Sequence, residues 1–150
     1  MRVVLQRVKG ANLEIDKKVF AQIQQGLVVL LAIESSDESS DAEWLINKII
    51  NLRIFSDQDG QMNLSVEDIK GQILLVSQFT LFASTKKGNR PGFTRAASPK
   101  EAKEMYLKFV SLFKQKYKYE VQEGVFGADM QIHLINDGPV TIIIDTKNKE

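Results

Sequence analysis

Two apolar runs constrain the fold of this chain more than any other feature. Leu27-Val28-Val29-Leu30-Leu31-Ala32-Ile33 has no polar residue to turn towards water. A strand with that pattern is covered on both faces, so it belongs in the middle of a sheet with material packed on either side. The second run starts at Leu74-Leu75-Val76 and continues as Ser77-Gln78-Phe79-Thr80-Leu81-Phe82-Ala83. It reads as a buried strand that turns polar at Ser77, Gln78 and Thr80, each of which needs a hydrogen-bond partner if it stays inside. Two readings stay open on pattern alone: a strand end emerging into solvent, or a site.

At 150 residues the chain suits one domain, 1–150, burying about two thirds of its unfolded surface without disulfide or metal staples. Cysteine is absent, which removes disulfides, thiolate nucleophiles and Cys-based metal sites, and the single histidine, His133, excludes a His-rich metal centre. No metal and no cofactor are expected. With 20 basic against 19 acidic residues the net charge is +1, so contact with a nucleic acid has to come from a local patch rather than a global field. Met1 to Val8 lacks a cleavable apolar leader, and no run approaches membrane-spanning length, which predicts a cytoplasmic protein with no membrane partner.

Arg2–Lys9, Ala11–Asp16, Val19–Gln24 and Leu27–Ile33 read as four strands of a β-meander. Ser40-Asp41-Ala42-Glu43 has the form of a capping box and opens a helix of about three turns. Asp57-Gln58-Asp59-Gly60 is a tight turn; it lacks the ligand positions and terminal Glu of an EF-hand loop. Ser98-Pro99-Lys100-Glu101 is a second capping box with Pro at the first helical position, and Ala102, Met105, Tyr106, Phe109 and Phe113 then form one apolar stripe. Strands return at Tyr119–Gln122, Met130–Ile135 and Val140–Thr146. His133 shares a face with Gln131, opposite Met130, Ile132 and Leu134, and is expected half-exposed. Asn136-Asp137-Gly138-Pro139 has the composition of a hairpin turn.

Between the two halves lies an irregular loop from Ala83 to Arg95. From Ala83 to Lys100 there are basic residues at Lys86, Lys87, Arg90, Arg95 and Lys100 and no acidic one. This is the one phosphate-contacting surface visible in the sequence; the plainer reading is a solvated loop.

Ser77-Gln78-Phe79-Thr80-Leu81 and Asn136-Asp137-Gly138-Pro139-Val140-Thr141 together resemble the two signature motifs of the D-aminoacyl-tRNA deacylases. The resemblance takes in Gln6-Arg7-Val8, Arg53-Ile54-Phe55-Ser56-Asp57, Met62-Asn63-Leu64, Arg90-Pro91, Ala97-Ser98-Pro99 and Ala128-Asp129-Met130-Gln131, in order along the whole chain. It implies an α+β fold: compact, β-barrel-like antiparallel and mixed sheets with two main helices packed outside. It also implies a homodimer with active sites at the interface. The reaction would be hydrolysis of the ester joining a D-amino acid, or mischarged glycine, to the terminal adenosine of tRNA. On that resemblance Ser77, Gln78, Phe79 and Thr80 form the catalytic pocket floor, with backbone N–H groups near Phe79 and Thr80 facing the scissile carbonyl. Gly138 and Pro139, joined by a cis bond and held by Arg7, would reach into the partner subunit's pocket, and Met130 would join them against the substrate. Lys86, Lys87, Arg90 and Arg95 would meet phosphates of the acceptor end.

Glycine lets a main chain approach a ligand closely, and two adjacent carbonyls can receive a substrate ammonium. With ammonium and ester both anchored, an L-amino acid has to aim its side chain at the main chain, while a D-amino acid aims it at open space. A Ser–His–Asp arrangement would have to recruit His133, and no base is evident beside Thr80. The preferred route has the neighbouring ribose 2′-hydroxyl activate water while amide N–H groups stabilise the oxyanion. The rival readings are a non-catalytic tRNA-binding accessory module and a small esterase using Ser77 or Thr80 with His133.

Overall fold

A computed structural model describes all residues, 1–150. The strands are β1 (Arg2–Ile15), β2 (Lys18–Ile23), β3 (Gly26–Ala32), β4 (Phe55–Ser56), β5 (Met62–Leu64), β6 (Gln72–Ser77), β7 (Val121–Glu123) and β8 (Gln131–Asp145), with helices α1 (Ser39–Asn51) and α2 (Pro99–Lys116). A single 3-10 turn, Phe79–Phe82, follows β6.

The main sheet has the order β2-β1-β3-β6-β7, and β8 lies on the other edge of β1. β1 is antiparallel to β2, β3 and β8, whereas β6 is parallel to both β3 and β7. The result is the barrel-like mixed sheet with two outer helices that the sequence implied. β3 is central, as its apolar run requires. Leu27, Val29 and Leu31 join β6 residues Ile73 and Leu75 in the core under the helices, where they meet Leu45, Ile46, Ile49, Phe109 and Phe113. Val28 points the other way, into a smaller core with Val8, Leu13, Ile23, Leu74 and Val76.

The sequence reading differs from the structure at four places. Arg2–Lys9 and Ala11–Asp16 form one continuous strand, because β8 follows β1 along its length while the opposite edge changes partner from β3 to β2. The helix opening at Ser39 is not capped by Ser40 and Glu43; the Asp41 carboxylate accepts the Glu38 N–H at 2.9 Å, so the capping box lies two residues earlier than expected. β6 stops at Ser77 instead of reaching Ala83, since its partner β3 ends at Ala32. The expected hairpin at Asn136–Pro139 is absent: Met130–Ile135 and Val140–Thr146 belong to one strand, β8, which stays paired with β1 on both sides of that segment. The second capping box stands as read, with Ser98 N–H and Oγ donating to Glu101 and Pro99 at the start of the helix.

Two buried tyrosines tie helix to sheet. Tyr106 Oη donates to Leu75 O at 3.0 Å, and Tyr117 Oη lies 2.6 Å from Gly71 O. Burial pushes both phenols well above their usual range, with Glu123 adding to the effect on Tyr106 and Glu67 and Tyr119 on Tyr117. Both therefore stay neutral donors.

Gly26 sets the spacing of the parallel pair, for a Cβ there would lie 1.8 Å from Gln72 O. Gly26→Ala is expected to cost about 3 kcal/mol or more, the upper end for overpacking, read as a lowered denaturation midpoint; an unchanged midpoint would show that β3 and β6 separate freely. At the other end of the sheet, Arg2 bonds Asp145 at 2.9 and 3.0 Å. Burial raises the Asp145 pKa, but hydrogen bonds from Lys147 N–H and Arg2 outweigh it and leave the group below its ordinary 3.8. A depressed carboxylate contributes stability above the unfolded value and loses it as pH falls through the folded one. Asp145→Asn should therefore lower stability at neutral pH and flatten the loss below pH 3.8, measured by urea titrations at stepped pH.

Candidate active site

Where β6 runs out of partner, its main chain turns. Gln78 N–H donates to Leu31 O at 2.7 Å, the last bond of the ladder, and Phe79 opens the 3-10 turn. Leu81 N–H and Ala83 N–H close onto Gln78 O and Thr80 O, but the N–H groups of Phe79 and Thr80 have no acceptor in the chain. Both residues are exposed. The turn thus presents two free amide donors side by side, which is how a short helix begins.

Ser77, Gln78 and Phe79 line a cleft of about 700 Å³. One wall comes from Ala96–Pro99 and Ala102 at the start of α2, the other from Phe126–Met130. Phe93, folded back from the basic loop, meets Phe79 edge-to-face with ring centroids 5.1 Å apart. Met130 lines the cleft as expected and packs so close to Gly124 that a Cβ there would sit 2.6 Å from its sulfur. The Thr80 hydroxyl accepts a hydrogen bond from the Gln78 side-chain amide, and no imidazole or amine lines the cleft to act as its base. Asp129 is the one ionisable side chain in the lining. Sequence reasoning gave it no role, and because Asp129 precedes β8 no strand alternation could have singled it out.

His133 is elsewhere. It stands opposite Asn12 on β8, with Nε2 3.5 Å from Glu14 Oε1, and its side chain is 61 % exposed. The structure does not bring it to Ser77 or Thr80, so the serine–histidine arrangement has no geometry behind it.

The second motif is a bulge. Gln6 pairs with Thr141 and Val8 with Asn136, so two steps of β1 face five of β8 and the surplus residues leave the sheet. Gly138 and Pro139 are exposed at its tip, joined by a cis bond, with Gly138 at φ +115°. Arg7, 7 % exposed, holds the base of the bulge. Its Nε donates to Asp137 O at 3.1 Å and its Nη1 to Ile54 O at 2.6 Å, while the guanidinium lies 6.0 Å from the Phe55 ring centroid. A Cβ on residue 138 would come within 2.5 Å of Arg7 Nη2. Glycine is required there for space as well as for its backbone angle. None of Arg7, Gly138 and Pro139 lines the cleft of its own chain.

The basic loop is pinned at its neck, where Ser84 and Gly92 exchange backbone bonds of 2.8 and 3.0 Å. Lys86, Lys87 and Arg90 project from it, exposed and without ion pairs. Arg95 is exposed too but is paired: its Nη2 is 3.3 Å from both Glu34 carboxylate oxygens, and its guanidinium carbon lies 5.0 Å from the Phe82 ring centroid.

The cleft has no imidazole or amine in its lining, and the turn that carries the two free amide donors lines it through Phe79. The chain belongs to the D-Tyr-tRNA(Tyr) deacylase family, whose model matches residues 4–145. It is 57% identical to the D-aminoacyl-tRNA deacylase of Flavobacterium psychrophilum over 150 residues, all of both chains. It is 54% identical to the one from Fusobacterium nucleatum subsp. nucleatum, covering 99% of this chain and 97% of that one. Among solved structures, one described as c-Myc DNA Unwinding Element Binding Protein superposes with a TM-score of 0.92 at 39% identity, over 97% of this chain and 98% of that chain. Another, described as a probable eukaryotic D-amino acid tRNA deacylase, has a TM-score of 0.79 at 19% identity, over 95% and 97%, and shows the shared fold.

Arg7→Lys keeps the charge but cannot reach Asp137 O and Ile54 O together. Deacylation of a D-aminoacyl-tRNA should fall about 10- to 100-fold, as for misplacement of a positioning group, with the circular dichroism spectrum unchanged. Activity within twofold of the parent would mean the bulge is held without the fork.

Proposed function

We propose that this chain hydrolyses the ester between a D-amino acid, or glycine, and the terminal adenosine of tRNA, sparing L-aminoacyl esters. The observation that carries the reading is the free N–H pair of Phe79 and Thr80 on the turn whose Ser77, Gln78 and Phe79 line the cleft, in a chain related over its whole length to D-aminoacyl-tRNA deacylases. The scissile carbonyl oxygen sits against those donors and gains charge as water attacks, which is where amide hydrogens contribute most. The ribose 2′-hydroxyl beside the ester takes part in activating that water, and the 3′-oxygen leaves with the proton. Ser77, Gln78 and Thr80 hold the turn in shape. The Gln78 bond onto the Thr80 hydroxyl suits a scaffold, and it leaves Thr80 without a base.

In this reading the other half of the site comes from a second copy. Gly138 and Pro139 stand out from β8 and away from the chain's own cleft. The outer edge of β8 pairs with nothing, and Ile135 and Ile143 on that strand are 63% and 68% exposed. A long unpaired edge flanked by apolar side chains is a surface that invites association. The inserted carbonyls receive the substrate ammonium, the donors at Phe79 and Thr80 fix the ester, and the main chain of the insert then blocks an L side chain while leaving a D side chain and glycine free. Lys86, Lys87 and Arg90 contact acceptor-end phosphates; Arg95 serves the loop's own structure through Glu34.

The direct test is hydrolysis of matched D- and L-aminoacyl-tRNAs by the purified protein. Turnover of the D ester alone is expected, and equal turnover of both, or of neither, overturns the reading. Thr80→Ala spares the backbone and should retain activity within about tenfold, since one lost hydroxyl bond is worth about 1 kcal/mol. A 2′-deoxy terminal adenosine should be hydrolysed poorly. Near-complete loss in Thr80→Ala with an intact fold would favour a threonine nucleophile instead. Charge reversal at Lys86, Lys87 and Arg90 together should raise KM for tRNA and reduce its dependence on salt; an unchanged salt dependence would leave the loop merely solvated.

A further inference from the structure

The first two turns of α2 carry a second set of free cations beside the cleft. Ser98, Pro99 and Ala102 line the cleft wall, so Lys100 and Lys103 are within one turn of its rim. Three residues apart on a helix, they share one face. Both are exposed, and neither enters an ion pair or a hydrogen bond with its own chain. The lysines farther along the helix differ: Lys108 donates to Ser39, Lys114 pairs with Glu123, and Lys116 donates to Asn47. Of the acids nearby, Glu101 is occupied by the Ser98 N–H and hydroxyl, and Glu104 is not within ion-pair distance of either lysine. The same face continues to Leu107, an apolar side chain left 53 % exposed. The lysines of α2 with neither an ion pair nor a hydrogen bond are thus confined to the end that meets the cleft.

We infer that Lys100 and Lys103 form a track for the single-stranded 3′ tail of the tRNA, holding the phosphates of the nucleotides that precede the terminal adenosine. This rests on the proposed deacylase reading, which places that adenosine in the cleft. The track is separate from the loop that carries Lys86, Lys87 and Arg90. A phosphate leaving the cleft mouth meets Lys100 first. Successive phosphates of an extended strand are spaced more widely than successive residues of a helix, so the next one falls to Lys103, half a turn to one turn further along. Such contacts are blind to sequence and act through charge.

The test uses the full-length K100E/K103E variant, with K116E as a charge control at the far end of the helix. Three D-aminoacyl esters are compared: on adenosine alone, on a short single-stranded oligonucleotide ending in that adenosine, and on whole tRNA. The double variant is expected to hydrolyse aminoacyl-adenosine as the parent does and to lose at least tenfold in kcat/KM on both the oligonucleotide and tRNA. Binding of uncharged single-stranded oligonucleotide, followed by fluorescence anisotropy against salt, should show a log–log slope shallower by about 1.4, two phosphates at about 0.7 each. K116E should match the parent throughout. An equal loss on aminoacyl-adenosine would show that the lysines shape the cleft, and a loss on tRNA without one on the oligonucleotide would place the contact on the duplex; either overturns the inference, as does an unchanged salt slope. If the parent protein itself fails to hydrolyse any D ester, the deacylase reading is at fault, and the anisotropy slopes still decide the lysine track.

Discussion

The antiparallel pairing of β1 with β8 is the constraint on which the rest depends. β1 is bonded along both edges, to β8 on one side and to β3 and then β2 on the other. It cannot shift register without turning its core residues to the opposite face. β8 absorbs the larger mismatch in length: between Gln6 and Val8 it carries more residues than the ladder can use, whereas β1 carries a single extra residue between Val8 and Gly10. The surplus is Asp137 to Val140, and Arg7, rooted in β1, fastens it to Ile54 on the far side of the core.

The cleft arises from the converse mismatch. β6 has more chain than β3 has edge, so after the Gln78–Leu31 bond its backbone has no ladder to join. It coils into a short turn whose opening amides stay free. Such donors would cost about 1–3 kcal/mol each if sealed from water without a partner. They persist because Phe79 and Thr80 are exposed to solvent. In both places the feature of interest is main chain left over when strand lengths disagree.

That origin explains what the sequence could and could not convey. The central position of β3, the apolar stripe of α2 and the Ser98 cap were legible because they depend on side-chain pattern and local chemistry. The end of β6 was not, since Phe79-Thr80-Leu81-Phe82 has the composition of a strand and only the length of β3 decides otherwise. Asn136-Asp137-Gly138-Pro139 read as a hairpin because its residues favour turns of any kind, and nothing local says that β1 continues opposite on both sides. The free edge of β8 was equally hidden: Ile142-Ile143-Ile144 looks like core, and which face is left uncovered depends on partners distant in sequence. The motif residues were found through their resemblance to a family, and the structure supplied the reason they occur where they do. Arg95 shows the opposite case, a basic loop residue indistinguishable by composition from Arg90 yet committed to Glu34.

A pair of donors that belongs to the main chain has a further property. Exchange of the side chain at Phe79 or Thr80 leaves the amide hydrogen in place for every coded residue except proline. The donors are thus insulated from most point changes at their own positions and vulnerable instead to changes that move the backbone, at sites such as Gly26 that lie outside the cleft lining. For a variant of this chain met in isolation, distance from the cleft is a poor guide to harm. The spacing of β3 and β6 is a better one.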